Sequence, residues 1–308
     1  MSTRVILHIG TEKTGSTAIQ RYLSSERAHL AKHGVAIPTT LGQAEHVRFP
    51  LLFYDADQHD DLTLDQGLDA LKASQRQLQL QRWKTEFAEE VATAPQDTWI
   101  ISSEHIHSRL LHNDASMASL VSFVESHFDE ITVITYLREP LEAAVSLWST
   151  AVLNGAALST LPPPETPYWA RLCNHRATVE RLERWFSGRF LLRLYTPAHW
   201  RGGDVVHDFA NAVGISLSPS TAATQRRLNS TLSWLSLALI ARLNSNGKPS
   251  RRLVSAIREA FDHYPPPRAT AQQRAAYAKT FAESNAWVVR HYFPDRSALF
   301  ANWGGAAA

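Results

Sequence analysis

The chain has 308 residues, of which 44% are hydrophobic and 19% charged; this excludes a disordered tail, a coiled coil or a collagen-like repeat and leaves a globular protein with a sizeable core. Its 31 basic and 29 acidic residues give a formal net charge of +2, too near neutral to predict a nucleic-acid or membrane footprint. The basic residues comprise 25 arginines and only six lysines, so the place of each lysine is informative.

Val5–Ile9 is a short β-branched run bounded by Gly10 and reads as a buried strand. Its short apolar reach, after Met1-Ser2-Thr3-Arg4 and before His8, is not a secretory signal. Helical spacing follows over Ser16–Leu30, with Ile19, Leu23 and Leu30 on related faces. Val35–Pro38 reads as a second strand, and residues 41–64 as a loop rich in His and Asp. A Gln-rich helix is expected from Leu68 to Val91, with Leu71, Leu78, Trp83 and Phe87 as its apolar stripe. Thr98–Ser103 is the third strand, 114–128 a helix and Ile131–Leu137 the fourth strand.

Pro140 opens the next helix at the first position, where proline is favoured. Pro162-Pro163-Pro164 and Pro167 mark a loop, Trp169–Phe186 a helix and Phe190–Tyr195 the fifth strand. Cys173 is the one cysteine, so there is no intrachain disulfide and no Cys-rich zinc site. Residues 204–293 read as helices punctuated by Pro249 and Pro265-Pro266-Pro267. The longest apolar stretch, Trp234–Leu243, is about half the ~20 residues that span a bilayer. Trp99, Trp148, Trp185 and Trp234 fall on apolar stripes and read as core. A cytoplasmic protein without membrane insertion or nucleic acid is expected.

Strand and helix alternate through the first two thirds, which implies βαβ crossovers and a parallel sheet covered on both faces. The expected fold is α/β: a P-loop-type three-layer sandwich with about five parallel strands and a helical C-terminal third. No stretch reads as a domain linker, so 1–308 is taken as one domain with 204–300 as a helical cover.

Gly10-Thr11-Glu12-Lys13-Thr14-Gly15-Ser16-Thr17 joins the first strand to the first helix. Such a junction gathers free backbone N–H groups and the positive end of a helix dipole, which together make an anion site. Gly10 and Gly15 fit the P-loop pattern, but Ser16 stands where the lysine belongs and Lys13 lies before the second glycine. Mg-ATP would ask for the lysine after that glycine. Arg138 lies at the end of the fourth strand, where open α/β sheets place ligands. Ser146 lies two turns into the following helix; alone it reads as a hydroxyl bonded to the carbonyl four residues back, and Arg138 alone as an ion pair with Glu139 or Glu142.

Together the two segments resemble the sulfotransferase family. Lys13-Thr14-Gly15-Ser16-Thr17 is similar to its 5′-phosphosulfate-binding loop, and Arg138 with Ser146 to its 3′-phosphate site. The resemblance implies 3′-phosphoadenosine 5′-phosphosulfate as donor, the 3′,5′-bisphosphate as product and no metal. It implies donor contacts from Thr11, Glu12, Lys13, Thr14, Gly15, Ser16, Thr17, Arg138 and Ser146. The C-terminal third lacks the Arg-Lys-Gly loop of cytosolic members and is closer to bacterial, carbohydrate-type relatives.

Transfer would be in line, to a hydroxyl or amine of a carbohydrate, glycolipid or small metabolite, with Lys13 on the leaving oxygen. A base is also needed. The end of the third strand supplies Glu104 and His105, and the loop after the second strand His46. Strand alternation implies that Glu104 and His105 do not both face the site, with Glu104 favoured. Tyr195 is placed either toward the adenine or packed at the sheet edge. The rival readings are a P-loop kinase or nucleotide-binding protein using ATP-Mg, and a non-catalytic nucleotide-binding relative. Residue patterns do not specify the oligomeric state or the acceptor.

Overall fold

A computed structural model describes residues 2–55, 57–217 and 231–301. The chain divides into two compact units: Met1–Leu137 with Thr178–Arg226, and Arg138–Ala177 with Arg227–Ala308.

The first unit holds a five-stranded parallel sheet in the order β2-β3-β1-β4-β5. The strands are β1 (Arg4–His8), β2 (Val35–Ala36), β3 (Thr98–Ser102), β4 (Glu130–Leu137) and β5 (Phe190–Leu194). Alternation along each strand sends side chains to two cores. Val5, Leu7, Trp99, Ile101 and Val133 join one face, and Ile6, Ile100, Ile134 and Tyr136 the other. Helices α5 (Ala73–Thr93), α6 (Asp114–Glu125) and most of α9 (His175–Phe186) supply the first core through Phe87, Leu120 and Phe186. The second core takes Ile19 and Leu23 from α1 (Ser16–Ser25) and Phe209 from α10 (Val205–Val213). Sheet and both helical layers match the α/β sandwich expected from the pattern.

Three local expectations change. The helix expected over Ser16–Leu30 breaks at Glu26 into α1 and α2 (Arg27–Lys32). At that break Ser25 Oγ donates to the carbonyl of Tyr22, a side-chain bond that competes with helix continuation. Residues 41–64 are not all loop: α3 (Arg48–Leu51) and α4 (Asp61–Asp65) form there, the latter closed by an Asp60/Thr63 capping box. Leu78 does not belong to the α5 stripe; it is 71% exposed, whereas Trp83 and Phe87 are buried.

The second unit is helical: α7 (Pro140–Leu153), α8 (Pro167–Cys173), α11 (Trp234–Asn244), α12 (Arg251–Phe261) and α13 (Ala271–Tyr292). Its core gathers Leu147, Trp148, Trp169, Ile240, Tyr277 and Phe281. Asn174 separates α8 from α9, its side-chain oxygen accepting from the Ala177 amide. Tyr277 donates to the carbonyl of Pro162, fastening the proline-rich loop to α13. Trp234 is a correction: it is half exposed at the start of α11. Residues 218–230, part of the stretch expected to be helical, lie outside the described residues. Among the described residues no helix is long and apolar enough to cross a membrane.

Candidate active site

β1 lies between β3 and β4, so the chain reverses its direction across the sheet beside β1. Ligands of open α/β sheets bind outside the carboxyl ends of strands at such a point. The segment leaving β1 there is the loop 10–15. Lys13 and Gly15 both adopt left-handed backbone, at φ 70° and φ 80°. For lysine that conformation costs on the order of 1 kcal/mol, a strain that recurs at functional sites. Turns of this class leading into a helix make anion-binding concavities. Gly15 is the N-cap of α1, and no side chain caps the helix, which leaves its first N–H groups for another acceptor.

The loop hydroxyls divide into two sets. Thr11 donates to the carbonyl of Tyr136 at 2.7 Å, and Thr14 to that of Thr11 at 2.6 Å. Both are buried and hold the loop in shape. Ser16 Oγ is also buried but has no hydrogen-bond partner among the described residues. It sits over Gly10, where a Cβ would overlap it. Glu12, Lys13 and Thr17 are half-buried around the same turn. Tyr195 follows β5 and packs its ring beneath Gly15, edge-on to Trp200 at 5.0 Å.

Polar groups also gather where β1 and β3 end. His8 Nδ1 meets Ser102 Oγ at 2.8 Å, and the Ser102 amide donates to His46 Nδ1 at 2.9 Å. Both imidazoles are fully buried, and burial lowers each pKa to about 3. His46 is therefore a neutral buried acceptor, closed to solvent.

Glu104 and His105 follow, and the face argument from strand alternation is corrected here. β3 ends at Ser102 and the chain enters a wide π-type turn at Ile106–Leu110, so alternation no longer applies. Glu104, His105 and Glu45 come together, their polar atoms within 4.8 Å of one another. His105 Nε2 lies 3.1 Å from Glu45 Oε1, and Gln20 Nε2 donates to Glu104 Oε2 at 2.7 Å. Burial and then Glu45 push the Glu104 pKa up. For His105, burial pulls the pKa down, but Glu45 and Glu104 outweigh it and the net shift is upward.

Arg138 and Ser146 belong to the second unit. The Arg138 carbonyl accepts from His175 Nε2 at 2.8 Å, and its Nε lies 3.5 Å from Glu142 Oε2. Glu139 caps α7 by accepting from the Glu142 amide at 2.6 Å. Arg138 lines a cavity of about 300 Å³ together with Glu139, Glu142, Pro267, Arg268 and Arg274. Ser146 is buried in the second turn of α7. Cys173 donates to the carbonyl of Pro140 at 3.3 Å, and burial raises its thiol far above the usual range. It is an inert structural thiol.

No protein-family model matches the chain, and no curated protein matches it in sequence. A search of solved structures does find matches. The crystal structure of a sulfotransferase from Alicyclobacillus acidocaldarius is matched over 94% of this chain and 96% of that one, at TM-score 0.50 and 14% identity. The chain has the sulfotransferase fold. The sulfotransferase domain from the Synechococcus PCC 7002 olefin synthase is matched over 92% of this chain and 94% of that one, at TM-score 0.37 and 14% identity. The sulfotransferase domain from the curacin biosynthetic pathway is matched over 92% and 96%, at TM-score 0.35 and 13% identity.

Four residues at these positions of the sulfotransferase fold are not evident from sequence. Gln20 reads there as one polar residue of an amphipathic helix, and Glu45 stands 60 residues before its partner His105. Arg268 and Arg274 follow a proline run that marks only a turn. One signal was available: Gln20 lies four residues after Ser16, on the same face of α1.

Proposed function

We propose that the chain is a sulfotransferase that moves a sulfuryl group from 3′-phosphoadenosine 5′-phosphosulfate to an acceptor hydroxyl. One observation carries this reading: Lys13 in left-handed backbone within an uncapped strand–loop–helix junction at the switch point of the sheet. The junction's chemistry fits the phosphosulfate end of the donor. Backbone N–H groups of Gly15–Thr17 and the unpartnered hydroxyl of Ser16 are suited to hold the 5′-phosphate. Lys13 neutralises charge on the bridging oxygen as the bond to sulfur breaks. The loop also includes Thr11, Glu12 and Thr14, the two threonines as its internal ties. Arg138, with Arg268 and Arg274 on one cavity and Ser146 on α7, is assigned to the 3′-phosphate.

As the acceptor oxygen attacks sulfur, its proton passes to Glu104, with His105 beside it. The bond between sulfur and the bridging oxygen breaks, and that electron pair leaves on the 3′,5′-bisphosphate. Lysine placement before the second glycine favours this donor over ATP-Mg. The acceptor proposed is a carbohydrate, glycolipid or small metabolite.

Two measurements test the reading. The 3′,5′-bisphosphate should stabilise the protein by about 2.7 kcal/mol at a hundred times its Kd, and ATP with Mg²⁺ should not; the reverse ranking overturns the assignment. Lys13→Ala should lower sulfuryl transfer from labelled donor roughly 10²–10³-fold, and near-normal turnover would refute its role.

A further inference from the structure

The helix that begins at the phosphate loop also carries the amide that holds Glu104. Gln20 lies one turn after Ser16 and is only 3% exposed, and its Nε2 donates to Glu104 Oε2 at 2.7 Å. A buried amide donor fixes one carboxylate oxygen and with it the plane of the group. We propose that Gln20 is a positioning residue for the transfer: it orients the Glu104 carboxylate toward the acceptor proton and couples it to the donor-binding loop through one turn of α1. The inference rests on the reading of Glu104 as the base.

The charged groups around Glu104 give this role a signature. Glu45 and His105 act on Glu104, and Glu12 acts on His105. A donor to the ionised carboxylate favours ionisation, and a neighbouring anion opposes it. Gln20 and Glu45 therefore pull in opposite directions. A contact that merely joins α1 to the end of β3 would affect stability without a directed change in titration.

The experiment combines ¹³C-carboxyl NMR titration of the full chain with pH profiles of kcat/KM for sulfuryl transfer. Glu104→Gln assigns the resonance. In Gln20→Met, which keeps side-chain length and helix propensity, the Glu104 midpoint and the acid limb should move up. In Glu45→Gln both should move down. Gln20→Met should also lower kcat about tenfold with little change in acceptor KM, as expected for lost alignment. If Gln20→Met fails to fold, Gln20→Asn, too short to reach Glu104, carries the same expectation. An unmoved midpoint, or shifts of the same sign in the Gln20 and Glu45 variants, overturns the inference. An unsubstituted chain inactive toward every donor and acceptor tried overturns the functional reading instead, while the NMR midpoints still report on Gln20.

Discussion

At the scale of single residues, the candidate site rests on backbone conformations that side chains rarely adopt. Gly15 sits at φ 80°, and an added Cβ would meet Tyr195 Cε2 at 2.8 Å and Val205 Cγ1 at 3.2 Å. Gly15→Ala should destabilise the protein by about 2 kcal/mol and abolish binding of the 3′,5′-bisphosphate, as read by denaturant unfolding and calorimetric titration. Lys13 occupies the same region of backbone with a side chain present. Lys13→Gly relieves that conformation, so stability should hold or rise while turnover falls; lower stability would mean that Lys13 is chiefly structural. The lysine and the glycines of this site were legible in sequence because they are contiguous and follow a strand. Gln20 and Glu45 were not, since their partners are Glu104 and His105 and only the sheet brings these segments together. The division of labour among the hydroxyls was also hidden. Nothing in the local pattern separates Thr11 and Thr14, which tie the loop, from Ser16, which is left without a partner.

At the scale of elements, strands were read well because β1, β3 and β4 are short β-branched runs buried on both faces, while the edge strand β5, Phe190–Leu194, is a short apolar run that is largely half-buried. Helix boundaries were read less well. Two helical patterns break at Glu26 and Asn174, where Ser25 bonds the Tyr22 carbonyl and Asn174 accepts from the Ala177 amide, polar bonds that periodicity does not register. Trp234 shows the converse error, an aromatic at a core-like position that stands half exposed at a helix start. The element joints themselves depend on one buried carboxylate. Asp208 on α10 is 1% exposed. It accepts from Tyr136 of β4 at 2.8 Å, from Arg193 of β5 and from the amide of Arg201. Removing it leaves a half-buried guanidinium and a buried phenol without their acceptor. Asp208→Ala should therefore cost about 2–3 kcal/mol, and Asp208→Asn, which keeps one acceptor, should cost less. Chemical denaturation of the two variants decides; equal stability to the parent would show that apolar packing alone seats α10 on the sheet.

At the scale of the whole chain, the near-neutral total of +2 conceals a strong dependence on acid, because three histidines are kept neutral by burial. His8 and His46 have pKa values lowered to about 3, and His175 to about 4, where burial outweighs the hydrogen bond to the Arg138 carbonyl. In the unfolded chain each regains the ordinary 6.5. Between these values the unfolded state binds protons that the folded state refuses. Stability from these groups is therefore complete above about pH 6.5 and falls as pH drops toward the folded values. By pH 5 each histidine should have removed about 2 kcal/mol. A glutamine at position 8 or 46 titrates nowhere in this range, so His46→Gln should flatten the slope of unfolding free energy between pH 7 and 5 by about one proton even if it lowers stability overall. Denaturant titrations across that range measure it, and a slope unchanged by His46→Gln would mean that this imidazole is protonated in the fold and that its bond from the Ser102 amide is broken in solution.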